Sequence, residues 1–358
     1  MNTTTLVRNP VITAWSAVSP FGIGRDAFAD GLHAGRATKL ALDKELWTGP
    51  DAEACLVPGF TAAGVLGKKG TRSMDRATGL AVATVGKMLD DQPRGREIAT
   101  GDHAALVLGT TTGSAQSMMD FTRDSLTGEK PFFVDPSRFP NTVMNCAAGQ
   151  CAIWHQLRGP NATVAGGRVA GLHALNYARR LLTSGRADTA LCGAVEEYSA
   201  ARSWLDRVGS GDDARVLGEG CAMVQLECGA EDPGRRALAE VRAVEFGVFT
   251  DDCGPALTAC VRRALDRAGA SAADVWAVSP SGTAGPGEEA ALREVLGDLD
   301  AYRSPDLSLI GDTAGAASAM QITAVLAMAE RDRGAAGRVA LITAVDEGVV
   351  GCAVLGLA

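Results

Sequence analysis

Short apolar stretches recur along the chain, and polar positions and turn residues separate them. These stretches predict β-strands at Val11–Trp15, Ala104–Leu108, Ala190–Val195, Ala222–Leu226, Ala239–Phe246, Val275–Val278, Val339–Ala344 and Cys352–Leu355. Apolar residues at helical spacing predict helices at Arg25–Ala34, Met74–Leu89, Ser114–Leu126, Thr142–Gln156, Pro255–Ala268 and Glu288–Leu296. This alternation of strands and helices is typical of an α/β protein.

One strand pattern occurs twice. Ala190–Glu197 reads ALCGAVEE and Ala340–Glu347 reads ALITAVDE, so both are apolar runs that end in two acids. A predicted helix precedes each of them, at Gly167–Ser184 and at Thr313–Arg333. Two units with the same order of elements indicate a duplicated α/β fold with a pseudo-two-fold axis. The segment Gly229–Arg235, which contains the sequence DPG, is the best candidate for the break between the halves.

Composition narrows the class of protein. A chain of 358 residues with 46% hydrophobic and 21% charged residues can bury a large core as two domains or one duplicated unit. The net charge of −8 disfavours nucleic acid and anionic membranes as partners. No secretory signal is visible at the start, and the weakly polar stretch Thr313–Ala329 contains Gln321 and Thr323, so we interpret it as a buried helix. We expect a soluble, cytoplasmic protein.

The nine cysteines are scattered, odd in number and without a CxxC pair. A disulfide framework or a zinc site is therefore not expected, and we predict neither a metal nor a cofactor. Cys146 and Cys151 lie in one predicted helix, where buried thiols are favoured over a reactive role.

The segment Gly159–Leu175 has the layout of a turn that carries a catalytic nucleophile. An extended entry leads to Gly166 and Gly167, and a helix with apolar residues at helical spacing follows. A cysteine at the start of such a helix becomes reactive because the helix dipole lowers its pKa. Here the residue is Arg168, which gains nothing from that field and must bind an acid or reach water.

Several motifs resemble those of the ketosynthases of the thiolase fold across nearly the whole chain. They are VITAWSAVSPFG near the start, RSMDRATGLA, VLGTTTGS at Val107–Ser114, RGPNATV at Arg158–Val164 and GRADTALCGAVEE at Gly185–Glu197. The resemblance implies a thiolase-like duplicated αβαβα fold of five layers, in agreement with the repeat. It also implies an N-terminal thiolase-like half at residues 1–230 and a shortened C-terminal half at residues 231–358.

The catalytic residues of that family are absent at the matching positions. Its nucleophilic cysteine corresponds to Arg168, and the histidine of its HGTGT motif corresponds to Ser281. The lysine and histidine of its KSxxGH motif correspond to Leu307 and Asp312. Condensation needs a thiolate and histidines, so we expect no condensing activity. Because the cysteine and the second histidine converge in the family, we predict an ion pair between Arg168 and Asp312.

One branch of the family is similar in this respect, namely the chain length factors, or ketosynthase β subunits, of type II polyketide synthases. The resemblance implies a heterodimer with a ketosynthase α subunit, which would also make most of the contact with the acyl carrier protein. Arg168 departs from the glutamine usual in that branch, and VDEGVV at Val345–Val350 replaces the family's gate loop. The short C-terminal half resembles the β subunits of highly reducing, polyene-forming systems.

The resemblance also implies that the helix after Gly113 lines the far end of the acyl tunnel. Spacing places Ala115, Met118 and Thr122 on one face of this helix, with Met119 and Phe121 beside it. The same stripe could equally be core or dimer interface.

Two other functions remain open at the level of sequence. One is a rewired enzyme of the thiolase fold that uses Cys146, Cys151, His173 or Asp312 for other acyl chemistry. The other is a stand-alone homodimeric protein that binds acyl chains or acts as a scaffold.

Overall fold

The computed structural model describes residues 9–210, 215–228, 236–282 and 286–358. Strands β1 to β12 of this part are Pro10–Ser19, Gly22–Ile23, Leu40–Ala41, Glu53–Ala54, Ala104–Thr110, Asn161–Ala165, Thr189–Glu196, Gly220–Cys228, Ala239–Val248, Val275–Ser279, Val339–Asp346 and Val349–Leu357. Helices α1 to α11 are Arg25–His33, Ala62–Leu66, Arg76–Asp90, Gly95–Ile98, Ala115–Thr127, Cys146–His155, Ala170–Thr183, Ala200–Ser210, Cys253–Ala268, Pro286–Leu296 and Ala317–Ala329.

Every strand and helix that the apolar pattern predicts is present, and the differences lie at the ends. The strands are longer than predicted by one to several residues. The helix expected from Thr142 begins only at Cys146, because a 3-10 turn with Pro140 inside it occupies Pro136–Thr142. The pattern missed α8, whose apolar side chains Trp204, Leu205 and Val208 are exposed.

The strand order of the main sheet makes the duplication visible. It runs β10-β11-β12-β9-β1-β8-β7-β5-β6, with β1 and β9 antiparallel at the centre. On one side β8 pairs antiparallel with β1, and on the other β12 pairs antiparallel with β9. Next come β7 and β11, which pair antiparallel with β8 and β12. On their other edges, β7 pairs parallel with β5, and β11 pairs parallel with β10. The two groups therefore repeat one topology. The predicted break at Gly229–Arg235 lies outside the described residues.

Layers of helices alternate with the two groups of strands of the main sheet, which gives five layers. Helices α7 and α11 contact each other and strands of both groups, and their apolar residues form the central core. Helix α3 covers the outer face of the first group together with α6, while α9 and α10 cover the second group. The chain thus has the thiolase-like αβαβα fold. No helix among the described residues combines the length and the apolar character needed to cross a membrane.

The two central helices begin in the same way. A 3-10 turn at Gly167–Val169 precedes α7, and a 3-10 turn at Ala314–Ala316 precedes α11. The Ser318 hydroxyl at the start of α11 donates to the carbonyl oxygen of Arg168 at 2.8 Å. This contact brings the beginnings of the two helices together between the two groups of strands, where the predicted site lies.

Candidate functional site

Arg168 lies in the turn that opens α7, and its backbone is held on both sides. Gly167 before it has φ +51°, a conformation that glycine adopts without strain. The backbone N–H of Arg168 donates to Oδ2 of Asp346 at 2.8 Å, and its carbonyl accepts from Ser318. Asp346 ends β11, so this contact ties the start of α7 to the β11–β12 hairpin.

The predicted pair between Arg168 and Asp312 is present and bidentate. Nη1 of Arg168 donates to Oδ1 of Asp312 at 2.7 Å, and Nη2 donates to Oδ2. The two side chains are 18% and 5% exposed, so the pair is largely shielded from water. Burial alone would raise the pKa of Asp312, but the bonds and charge of Arg168 outweigh burial and lower the pKa to about 2. Both groups are therefore charged at neutral pH.

Other contacts fix the position of Asp312. The N–H of Ala314 donates to its Oδ1 at 2.8 Å, and the guanidinium of Arg202 donates to its backbone carbonyl at 2.7 Å. The buried Arg202 also donates to the carbonyl of Gly218. Arg215 lies within 3.7 Å of the carboxylate. Several elements thus hold the acid where Arg168 reaches it.

Ser281 and Leu307 are the other two positions at which the resemblance predicts the loss of a catalytic residue. The hydroxyl and the N–H of Ser281 donate to the buried carboxylate of Glu288 at 2.6 and 2.8 Å. Thr343 donates to the same carboxylate. Leu307 is half-buried and packs against the central core. Neither residue has the imidazole or amine that the family carries at these positions.

All four predicted positions line one cavity of about 480 Å³, together with Arg215, Gln321 and other residues. Its described lining contains a neutralised ion pair and hydroxyls, and it lacks a thiol, an imidazole and an amine. Such a site can bind polar groups, but its described lining lacks the thiolate and the histidines that condensation needs. Within the described chain, no cluster of three or more His, Cys, Asp or Glu side chains could hold a metal ion.

Of the side chains considered for a different chemistry, Asp312 lines this cavity and is bound by Arg168, whereas Cys146, Cys151 and His173 are not part of its lining. Burial raises the pKa of the Cys146 thiol and, more strongly, that of Cys151. His173 stacks on Phe246 with ring centroids 4.2 Å apart, and burial lowers its pKa. These environments favour neutral groups that pack against their neighbours.

The predicted tunnel residues lie on α5 and differ in how far their side chains are exposed to solvent. Ala115 is buried, Met118 and Phe121 are half-buried, and Met119 and Thr122 are exposed. Phe121 packs edge-on against Phe139 of the following 3-10 turn. In the single chain, part of this face is therefore surface.

Sequence reasoning missed Asp346, Glu288 and Arg202, which hold Arg168, Ser281 and Asp312 in place. The repeat carried a signal for Asp346, because both copies of the strand end in two acids. Nothing comparable marks Glu288, which lies seven residues after Ser281. Nor does anything mark Arg202, whose partners are backbone carbonyls.

Comparison with known proteins identifies the family. The family profile described as "Beta-ketoacyl synthase, N-terminal domain" matches residues 8–231. The 3-oxoacyl-[acyl-carrier-protein] synthase 2 of Rhizobium meliloti (strain 1021) is 29% identical, over 88% of this chain and 85% of its own. The solved structure of the ishigamide ketosynthase/chain length factor is 48% identical, with a TM-score of 0.92 over 98% of this chain and 99% of that chain.

A second solved structure shows how far the fold extends beyond sequence likeness. A beta-ketoacyl synthase from Burkholderia phymatum STM815 is 21% identical, yet it superposes with a TM-score of 0.80 over 98% of this chain and 100% of its own. On the strength of the family profile and of the likeness to the ishigamide protein, this chain belongs to the β-ketoacyl synthase family.

Proposed function

We propose that this chain is a non-catalytic subunit of a type II polyketide synthase, equivalent to a chain length factor. In this role it pairs with an active ketosynthase α subunit and shapes the acyl tunnel that the two share. The observation that carries the proposal is Arg168, which stands where the family's nucleophilic cysteine would be and is bound to Asp312. A guanidinium stays protonated in proteins and cannot attack a thioester carbonyl.

The surface around α5 and α6 supports a role as a partner subunit. Monomeric proteins rarely expose large continuous apolar surfaces, and such surfaces mark interaction sites. Between residues 119 and 153, the exposed large apolar side chains are Met119, Leu126, Phe132, Phe133, Phe139, Val143, Met144 and Ile153. A ketosynthase α subunit that covered this surface would remove these side chains from water.

The same contact would complete a tunnel. Ala115 is buried and Met118 is half-buried, whereas Met119 and Thr122 face solvent in the single chain. A partner on α5 would turn this face into a wall that a growing acyl chain can meet. The likeness to the ishigamide ketosynthase/chain length factor supports the role of a chain length factor. The assignment to the highly reducing, polyene-forming kind rests on the short C-terminal half. The partner would make most of the contact with the acyl carrier protein.

Co-expression with candidate ketosynthase α subunits tests the proposal. Native mass measurement should give a one-to-one heterodimer, and extender consumption should depend on the cysteine of the partner. Arg168→Ala in this chain should leave condensation in place, provided that the heterodimer still forms. A stable homodimer that ignores every ketosynthase would favour a scaffold, and acyl labelling of the isolated chain by a thioester would favour an enzyme.

A further inference from the structure

A second cavity lies at the start of α5, between α3, α8 and the segment around Trp47. Its volume is about 440 Å³. Leu46 and Trp47 form the apolar side, while the polar side includes Thr48, Ser117 and Glu197. The cavity is separate from the one that contains Arg168, because none of their described lining residues is shared.

Three side chains form a hydrogen-bonded relay at the polar side of this cavity. Glu197 is buried, and both of its carboxyl oxygens lie 3.1 Å from Oγ of Ser114. Oγ of Ser114 lies 3.0 Å from Oγ of Ser117. Two backbone groups orient the relay, since Gln116 N–H donates to Glu197 Oε1 and Ser117 N–H donates to Ser114 Oγ.

The hydrogen bonds of the relay can run in two directions, from Ser117 toward Glu197 or from Glu197 toward Ser117. Each hydroxyl has one hydrogen and two lone pairs, and one lone pair of Ser114 is used by the N–H of Ser117. If Glu197 is ionised, Ser114 donates to it and accepts from Ser117, so Ser117 turns only lone pairs to the cavity. If Glu197 is protonated, it donates to Ser114, and Ser114 donates to Ser117. The hydrogen of Ser117 is then free to donate into the cavity.

Burial and the charges around Glu197 favour the protonated form. Burial and the negative charge of Asp75 raise the pKa of Glu197 to about 7, with a smaller contribution from Glu196. The nearby cations are engaged elsewhere. Arg76 binds Glu219 through two bonds of 2.5 Å, and Arg202 donates to the backbone carbonyl of Glu197.

We propose that this cavity binds a neutral ligand whose acceptor oxygen, such as a ketone carbonyl next to an aliphatic chain, accepts a hydrogen bond from Ser117. The proton on Glu197 orients the relay for this bond. Leu46 and Trp47 supply the apolar contact for the aliphatic part. This site goes beyond the proposed function, since it belongs to the single chain and does not depend on a partner subunit.

The test is a titration of the full chain alone with 2-heptanone, which can accept but not donate, followed by ligand-observed NMR. Affinity should fall at least about fivefold between about pH 6 and about pH 8.5, because the carbonyl then faces lone pairs only. Ser117→Ala should weaken binding at the lower pH and remove the pH dependence. Glu197→Gln should bind equally at both pH values, since its amide donates permanently to Ser114.

Ser125→Ala is the matched control. Ser125 lies on the same helix, but its hydroxyl donates to the carbonyl of Pro131, and the variant should behave as the unchanged chain does. A thermal melt of each variant verifies folding. Failure to bind 2-heptanone at the lower pH, equal affinity at both pH values, or wild-type binding by Ser117→Ala would overturn the proposal. Retained pH dependence in Glu197→Gln would overturn the role of Glu197.

Discussion

The carboxylate of Asp346 accepts the backbone N–H of Arg168 at 2.8 Å, at the start of α7. Glu196 holds the equivalent position in the repeat and accepts the N–H of Gly315 at 3.0 Å, ahead of α11. The acid that ends a central strand of each half thus binds the first turn before the central helix of the other half. Anions are stabilised at helix N-termini by free N–H groups and by the dipole, so these two contacts join the halves reciprocally.

Gly167→Ala should destabilise the chain by more than backbone strain alone. A Cβ at this position would lie 1.7 Å from Oδ2 of Asp346, so the carboxylate would have to leave Arg168. Gly185→Ala is the control, since Gly185 also has positive φ (+69°) but no atom within 4 Å of its Cβ. We expect a loss of about 1 kcal/mol for the control and at least about 2 kcal/mol for Gly167→Ala in urea unfolding. Equal losses of stability in the two variants would show that the Asp346 carboxylate can leave Arg168 without lowering the free energy of unfolding.

Asp312→Asn should lower the free energy of unfolding by roughly 3 kcal/mol, because it leaves the largely buried guanidinium of Arg168 without its counter-charge. The same change in an exposed pair, Glu97→Gln opposite Arg94, should be nearly neutral. Because the pKa of Asp312 is lowered from 3.8 to about 2, its contribution is complete above about pH 4 and is lost as pH falls toward 2. An Asn variant as stable as the parent chain at neutral pH would refute this energetic role.

Stability should also depend on pH through Glu197, in the opposite direction. Its pKa rises from 4.5 to about 7 on folding, so the folded chain binds more protons than the unfolded chain between those values. Stability should therefore fall as pH rises from about 4.5 through 7, by up to roughly 3 kcal/mol. Glu197→Gln should remove this part of the pH profile. Thermal melts of the unchanged chain and of Glu197→Gln across this pH range measure the effect. Profiles that coincide would contradict the raised pKa of Glu197.

Product length should respond to the size of residues on α5. In the heterodimer, Ala115→Phe or Met118→Trp should shorten the main product, because a larger side chain would block the tunnel wall proposed above. Thr127→Phe, at the exposed end of the same helix, should leave the product unchanged. Mass analysis of products made with one ketosynthase measures the effect. If the heterodimers still assemble and their products are unchanged, α5 does not line the tunnel.

The apolar pattern was sufficient for the α/β class and for the main strands and helices, because these elements bury continuous apolar faces. The thiolase-like five-layer arrangement came from the resemblance to the ketosynthases. It also gave the reciprocal halves through the repeat of Ala190–Glu197 and Ala340–Glu347. The pattern did not predict helix α8, because its apolar side chains Trp204, Leu205 and Val208 are exposed and apolar periodicity identifies helices by their buried faces. The pattern also placed the start of α6 too early, because the proline-containing 3-10 turn before this helix has no apolar periodicity.

The sequence by itself identified Arg168, Ser281, Leu307 and Asp312 as the positions that the resemblance aligns with the family's catalytic residues, because motifs can be compared along the chain. Only the tertiary structure decided how these residues are held. Asp312 meets Arg168 across 144 positions of sequence, and Asp346 meets it across 178. The direction of the relay from Glu197 to Ser117 also depends on burial and on charges from other elements. Such contacts depend on distances in space, which the spacing of residues along the chain does not specify.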